Sequence, residues 1–168
     1  MHTAQTYSFK SQYFRIAQET DVPSIRRLVN AAYKDLADLG LNYTATYQDE
    51  KITRERISQG RAFLLEKEGQ LMGTVLLKKE NWFTQRNSAY VSQLAVAPKL
   101  KNQGLGSLLM DLCEDLATRE GFDSIQLDTA KPAGHLVAWY LKRGYQIVGE
   151  THWEGKTYDS WIFEKPLD

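Results

Sequence analysis

Apolar residues change their spacing several times along the chain, and each change marks an element. Val22, Ile25, Leu28, Val29, Ala32 and Leu36 recur at helical spacing behind Asp21, a good N-cap, and Pro23 in the first turn. That pattern predicts a helix with one buried face, ending near Gly40. Ahead of it, residues 13–17 read as a first strand, and residues 1–12 show no clear period and read as a loosely held arm. Residues 41–47 look like a loop and residues 49–58 like a second, more polar helix closed by Gly60. Strands follow at 62–66 and 71–78, and the short connection between them, with Gly69 in the turn, makes them a hairpin.

Beyond a polar stretch at 80–88 the chain alternates strongly: strand 89–96, loop 97–103, helix 104–120, strand 124–128, helix 134–143, strand 145–148. This βαβαβ order argues for strands joined by crossover helices in an α/β or α+β sheet. Leu105, Leu108, Leu109, Leu112 and Leu116 line one face of the first of these helices, with Cys113 beside it and Gly121 at the C′ position. Gly144 has the same place after the next helix. A last strand, 158–164, would end the sheet. No repeat, low-complexity tract or linker interrupts the chain, so residues 1–168 are expected to form a single domain.

Composition narrows the function classes. Lys plus Arg and Asp plus Glu number 21 each, which removes the global field that would gather nucleic acid or an anionic membrane. The single cysteine, Cys113, excludes an internal disulfide framework and a multi-cysteine zinc site, and is expected in the core. No segment has the order of a signal peptide or the length of a membrane span, so a soluble, cytoplasmic protein is expected.

The chemistry concentrates in Leu94-Ala95-Val96-Ala97-Pro98-Lys99-Leu100-Lys101-Asn102-Gln103-Gly104-Leu105-Gly106-Ser107, a strand running through a basic loop into an amphipathic helix. Glycines let a backbone approach a ligand closely, and the first amides of a helix have no internal partner and carry the positive end of the macrodipole. A pyrophosphate suits such a site, with Lys99 and Lys101 adding charge at its rim. The plainer alternative is that Gly104 and Gly106 are only a flexible entry to a core helix. A Rossmann dinucleotide site gains some support from Asp128, which lies 22 residues after Gly106. It fails because seven residues separate Val96 from Gly104, Leu109 occupies the third glycine position, and little chain remains for a substrate domain. The Gly-Lys-Ser/Thr ending of a Walker A loop is missing.

These residues resemble the GNAT superfamily, whose cofactor motif runs from a Leu-x-Val-x-Pro strand ending to Gln/Arg-x-x-Gly-x-Gly/Ala at a helix start. Residues 94–107 match it, with Lys101 where the family usually has Gln or Arg. The second signature, an aromatic-Tyr pair four residues before Gly-aromatic, is reproduced by Trp139-Tyr140-Leu141-Lys142-Arg143-Gly144-Tyr145. The likeness covers residues 14–165. One departure is Ala133, which stands seven residues before Tyr140 where many members carry a cofactor-contacting Asn.

The resemblance implies an α/β (α+β) GNAT-type fold: a central mixed, mostly antiparallel sheet of six to seven strands flanked by about four helices. It also implies an N-acetyltransferase that moves an acetyl group from acetyl-CoA, a co-substrate, to an amine by direct transfer in a ternary complex, with no metal. Leu94, Ala95 and Val96 would offer backbone amides to pantetheine and the thioester oxygen. Lys101, Asn102, Gln103, Gly104, Leu105, Gly106 and Ser107 would hold the pyrophosphate. Tyr140 matches the family's general acid, and a phenol with an ordinary pKa near 10 stays protonated at neutral pH; packing on the sheet beside Trp139 is its alternative role. Asp128 sits where some members carry the base, or else caps a turn at a strand end. The single Cys113 makes a poor nucleophile.

The acceptor side is built from the most variable parts of the family. Candidates to wall it are Tyr33, Tyr43, Trp82 and Trp153, with Tyr47, Phe83 and His152 near them in sequence; ordinary packing is the alternative role for each. The acceptor is a small-molecule amine or a peptide or protein amine. A rival reading keeps the fold and the acyl-CoA site but makes the protein a non-catalytic binding module. A homodimer through the last strands, with Trp161 and Phe163 facing another chain, is a further reading.

Overall fold

The computed structural model describes residues 4–81 and 84–168. Among them are eight strands and six α-helices, slightly more of each than expected, in a mixed α/β arrangement around one continuous sheet. The strands are β1 (Thr6–Phe9), β2 (Gln12–Ile16), β3 (Arg61–Lys67), β4 (Gln70–Lys79), β5 (Ser88–Val96), β6 (Ser124–Ala130), β7 (Gln146–Thr151) and β8 (Ser160–Pro166). The helices are α1 (Val22–Ala32), α2 (Lys34–Asp38), α3 (Thr44–Tyr47), α4 (Glu50–Ile57), α5 (Leu105–Arg119) and α6 (Gly134–Lys142). The sheet order is β1-β2-β3-β4-β5-β6-β8-β7, and only β5 and β6 run parallel.

The extra strand is β1, in the segment expected to be a loose arm. Phe9 pairs with Gln12 across Lys10 and Ser11, whose φ angles of 46° and 63° make a two-residue hairpin turn. That turn usually announces itself by Asn-Gly or Asp-Gly, and Lys-Ser carries no such signal. Tyr7 and Phe9 pack on the main core, Tyr7 edge-on to Phe63 at 5.3 Å, which holds the strand.

Asp21 does not cap α1 with its side chain. Its carboxylate instead takes both terminal nitrogens of Arg15 at 2.7 Å and the amide of Gln18, which holds it below the usual carboxylate range. The long helix expected up to Gly40 breaks at Tyr33, and the expected loop at 41–47 contains the single turn α3. Asp49 does cap, accepting from the amide of Ile52 at 2.8 Å at the start of α4.

Both faces of the sheet are covered, so β3 is nearly continuous in apolar residues. Phe63 and Leu65 pack with Leu109, Leu112, Cys113 and Leu116 of α5 on one side, and Leu64 packs with Ile25, Leu28 and Val29 of α1 on the other. Cys113 is buried, and burial pushes its thiol well up. The last strand does not end the sheet. The chain leaves α6 for the outer edge as β7 and returns as β8, which inserts between β6 and β7 and is hydrogen-bonded along both sides. Phe163 is therefore fully buried, and Trp161 lies in an interior strand with Lys131 over its ring at 3.9 Å. β8 therefore has no free edge of its own, and the edge strand on this side of the sheet is β7.

Two irregularities in β5 shape the site. Its parallel pairing with β6 covers only Ser88–Ser124, Ala89–Ile125 and Tyr90–Gln126, although β5 runs on to Val96 and β6 to Ala130. On its other side, Thr74 pairs with Ala95 but Leu76 with Ser92, so β5 carries one extra residue, and Gln93 has a φ of 53° there. The two strands diverge beyond that point. α5 closes the opposite face, with Leu109 pressed so near β4 that a Cβ on Gly73 would lie 2.9 Å from its Cδ1. Leu109→Ala should lower unfolding free energy by about 2–5 kcal/mol with the urea m-value unchanged, measured by equilibrium denaturation.

Candidate active site

A cavity of about 560 Å³ occupies the opening between the diverging strands. Residues 91–96 of β5 form one wall and Leu127, Asp128 and Thr129 of β6 the other. Tyr33, Leu36, Tyr43 and Arg56 close it from the first helices, Leu136, Trp139 and Tyr140 from α6, and Trp153, Lys156 and Tyr158 from the β7–β8 connection.

One end meets the loop into α5. After a 3₁₀ turn at Pro98–Leu100, Asn102 (φ 63°) and Gly104 (φ 81°) take left-handed backbone, and the helix begins at Leu105. Gly104 is the N-cap residue and has no side chain to cap the helix, nor is there an acidic residue in its first turn. The first amides of α5 and the positive end of its dipole are thus left to whatever anion arrives. Lys101 and Gly106 line the cavity, and Lys101 is ion-paired with Asp35 at 3.3 Å. Asn102, Gln103 and Gly104 are exposed on the loop, Leu105 packs on the core, and Ser107 faces a smaller neighbouring hollow with Trp139 and Arg143.

At mid-cavity lies Tyr140, only 8% exposed, its ring packed by Trp139, Tyr145 and Phe163 at 4.9, 5.9 and 5.8 Å. Among the described residues none hydrogen-bonds to its hydroxyl. Burial raises its pKa well above the ordinary value, so the phenol stays protonated. Asp128 lies within β6, opposite Ile162 of β8, rather than at a strand end. It accepts hydrogen bonds from the Tyr90 hydroxyl and from Trp153 Nε1, the latter at 3.0 Å. Burial raises its pKa, against the opposing pull of those two donors and of the Arg56 and Lys78 charges.

The model of the Acetyltransferase (GNAT) family matches residues 23–145. This chain belongs to the GNAT acetyltransferases. It is similar to the S-alkylcysteine N-acetyltransferase of Bacillus subtilis (strain 168), 27% identical over 147 residues that cover 84% of this chain and 83% of that protein. In fold it is similar to the ribosomal-protein-S18-alanine N-acetyltransferase of Escherichia coli, with a TM-score of 0.73, 17% identity and coverage of 92% and 93%. It is also similar to a GNAT family acetyltransferase from Elizabethkingia anophelis with acetyl-CoA bound, with a TM-score of 0.60, 17% identity and coverage of 71% and 84%. The protein is an acetyl-CoA-dependent acyltransferase.

In this acetyltransferase Tyr33, Tyr43, Trp153, Asp128 and Tyr140 come together on one cavity, with Leu94, Ala95 and Val96 along its wall. The Tyr33 hydroxyl donates to the Leu94 carbonyl at 2.8 Å. Tyr43 bonds Thr129 Oγ1 at 2.8 Å and accepts from the Ala130 amide at 3.0 Å, so it braces β6. Tyr47 is exposed, held by Lys156, and His152 is exposed beside Asp159. Trp82 and Phe83 lie outside the described residues. Ala133 is buried in an apolar cluster with Leu36 and Tyr158. Among the described residues no group of three or more His, Cys, Asp or Glu is arranged to hold a metal ion, and no helix is long and apolar enough to cross a membrane.

Sequence reasoning missed Tyr90 and Arg56. Tyr90 sits in an apolar strand, where it is indistinguishable from core, and Arg56 sits on a polar helix that looks fully solvated. The raised pKa of Asp128 has a sign that can be checked. Protonation is easier in the folded state, so the group's contribution to stability is present below the unfolded value near 3.9 and is lost as pH rises through the folded one. As pH rises from about 4 the wild type should lose stability relative to Asp128→Asn, followed by urea denaturation of both at a series of pH values.

Proposed function

We propose that this enzyme acetylates a primary amine by direct transfer from acetyl-CoA in a ternary complex, with Tyr140 as general acid and Asp128 as the proton acceptor for the amine. The observation that carries this reading is the single cavity that holds both a protonated phenol, without a hydrogen-bond partner among the described residues, and a part-buried carboxylate with a raised pKa, beside a strand whose ladder has opened. Groups whose environments fit them to opposite proton-transfer roles mark an acid and a base. The similarity to proteins named for acetylating S-alkylcysteine and a ribosomal-protein alanine supports an amine acceptor.

The donor's pyrophosphate would be held by the uncapped start of α5 and the loop of Lys101, Asn102, Gln103, Gly104, Leu105, Gly106 and Ser107. Its pantetheine would lie along Leu94, Ala95 and Val96. The residues suit that ligand: left-handed Asn102 and Gly104 leave the backbone uncovered, and no Cβ stands at Gly104. With Ala133 in an apolar cluster, that position offers no side-chain polar contact.

In the reaction, the ammonium gives one proton to Asp128, directly or through water, and the free amine attacks the thioester carbon. The C–N bond forms, the backbone amides of β5 stabilise the oxyanion, and the C–S bond breaks as Tyr140 protonates the sulfur. The second proton leaving nitrogen restores the phenol. Tyr33, Tyr43 and Trp153 form the acceptor walls.

Acetyl-CoA near a hundred times its dissociation constant should add about 2.7 kcal/mol of stability, raising Tm by roughly 5–10 °C, and NADH should not. Gly104→Asp should abolish that rise while unfolding remains cooperative. Tyr140→Phe should keep the rise and lower kcat about 10²- to 10⁴-fold; a wild-type rate would remove Tyr140 from the mechanism.

A further inference from the structure

Arg56 is a charged residue of the cavity that acetyl transfer leaves unused. It projects from α4 into the acceptor side, half-buried, and no carboxylate among the described residues forms an ion pair with it. Arg54, two positions earlier, pairs instead with Glu19 at 2.5 Å on the surface. A guanidinium has five N–H donors, and among the described residues Arg56 uses one, from Nη1 to Gln48 Oε1 at 2.8 Å. Gln48 is itself buried, at 1% exposure, and is fixed by donating to Thr53 Oγ1 at 2.9 Å and to Gln93 Oε1 at 3.4 Å. The guanidinium is therefore oriented through a buried chain that ends at the β5 bulge.

The other cavity cations are committed. Lys78 pairs with Glu80 at 2.5 Å and Lys101 with Asp35 at 3.3 Å. All three Lys156 donors are spent, on the Asn42 carbonyl, Thr44 Oγ1 and the Tyr47 hydroxyl. Removing a cation from water without a counter-ion is costly, and the cost is recovered when a ligand supplies the anion. Burial does lower the pKa of Arg56, while the Asp128 charge opposes that shift. Opposite charges thus share one cavity without being ion-paired to each other.

We propose that Arg56 binds the carboxylate of the acceptor, and that the acceptor is a free α-amino acid with an apolar side chain whose amine faces Asp128. The zwitterion has the inverse polarity of the cavity, ammonium toward Asp128 and carboxylate toward Arg56. Leu36, Tyr33, Tyr43 and Leu136 leave an apolar surround for the side chain. A protein N-terminus carries a neutral peptide group where this site places a guanidinium, and bidentate Arg–carboxylate pairing discriminates strongly between the two. This inference rests on the amine-acetylation reading above.

The test compares apolar L-amino acids, among them L-leucine and S-methyl-L-cysteine, with their carboxamides and with short peptides bearing the same first residue. Thiol release from acetyl-CoA is followed in each case. The wild type should prefer the acid to its carboxamide by at least about 30-fold in kcat/KM, mostly in KM, and Arg56→Gln should collapse that ratio toward one. Arg56→Lys should restore part of it, and matched unfolding midpoints would show that the variants fold. Carboxamides or peptides accepted as well as the acids would overturn the proposal and leave amine acetylation standing. A ratio unchanged in Arg56→Gln would overturn it too. If no acid, amide or peptide is acetylated although acetyl-CoA still raises Tm, this inference falls, and a further failure with simple alkylamines and polyamines would bring down the amine reading as well.

Discussion

In a parallel pair of strands the ladder normally consumes every facing backbone donor and acceptor, and crossover helices cover both faces. β5 and β6 obey this only as far as Tyr90 and Gln126. Past that pair the extra residue at the Gln93 bulge turns β5 away, and β6 takes its second partner from β8. The gap this leaves is bounded by the strands themselves, so backbone groups of residues 91–96 border a cavity in the middle of the sheet. Tyr33 reaches across to the Leu94 carbonyl, while Tyr43 ties the α2–α3 region to Thr129 and Ala130. Each wall is thereby held to a different strand.

Burial acts on both titratable groups at the centre in the same direction. It raises the Tyr140 phenol, which keeps it a proton donor, and it raises Asp128, which brings a carboxylate toward the range useful for accepting a proton from an ammonium. The two donors from Tyr90 and Trp153 temper the second effect and fix the carboxylate's orientation. Tyr140 reaches this position because Trp139, Tyr145 and Phe163 pack its ring, so its packing role and its proposed chemical role come from the same contacts. Gln48 holds Arg56 at the lining of the same cavity, and the site carries a guanidinium and a carboxylate that are not ion-paired to each other.

The helical and strand periods located nearly every element of the second half, since α5 and β6 each bury a regular set of apolar residues. The misses have local causes. β1 depends on a Lys-Ser turn with positive φ at both residues, a conformation that those side chains do not advertise. Asp21 had the composition of a cap, but a bidentate arginine outcompeted the helix amides for its oxygens. The β7–β8 order was hidden because a hairpin that returns inside its own first strand has the same pattern along the chain as one that extends the sheet.

The sequence by itself determined the family, the mixed α/β architecture, the glycine-marked entry to α5 and the residue types Tyr140 and Asp128 that suit acid–base work. The architecture follows from short-range spacing, which local backbone preferences and amphipathic periods preserve, whereas the family and the candidacy of Tyr140 and Asp128 come from the resemblance of two motifs. Only the tertiary structure decided that Asp128 lies inside β6 between Tyr90 and Trp153, that β8 is interior, and that Arg56 faces a cavity without an ion-paired carboxylate among the described residues. These properties depend on which distant segments meet and on what is excluded from water when they do. Charge balance and periodicity treat Arg56 and Arg54 alike; the fold places one at the surface beside Glu19 and the other against the site.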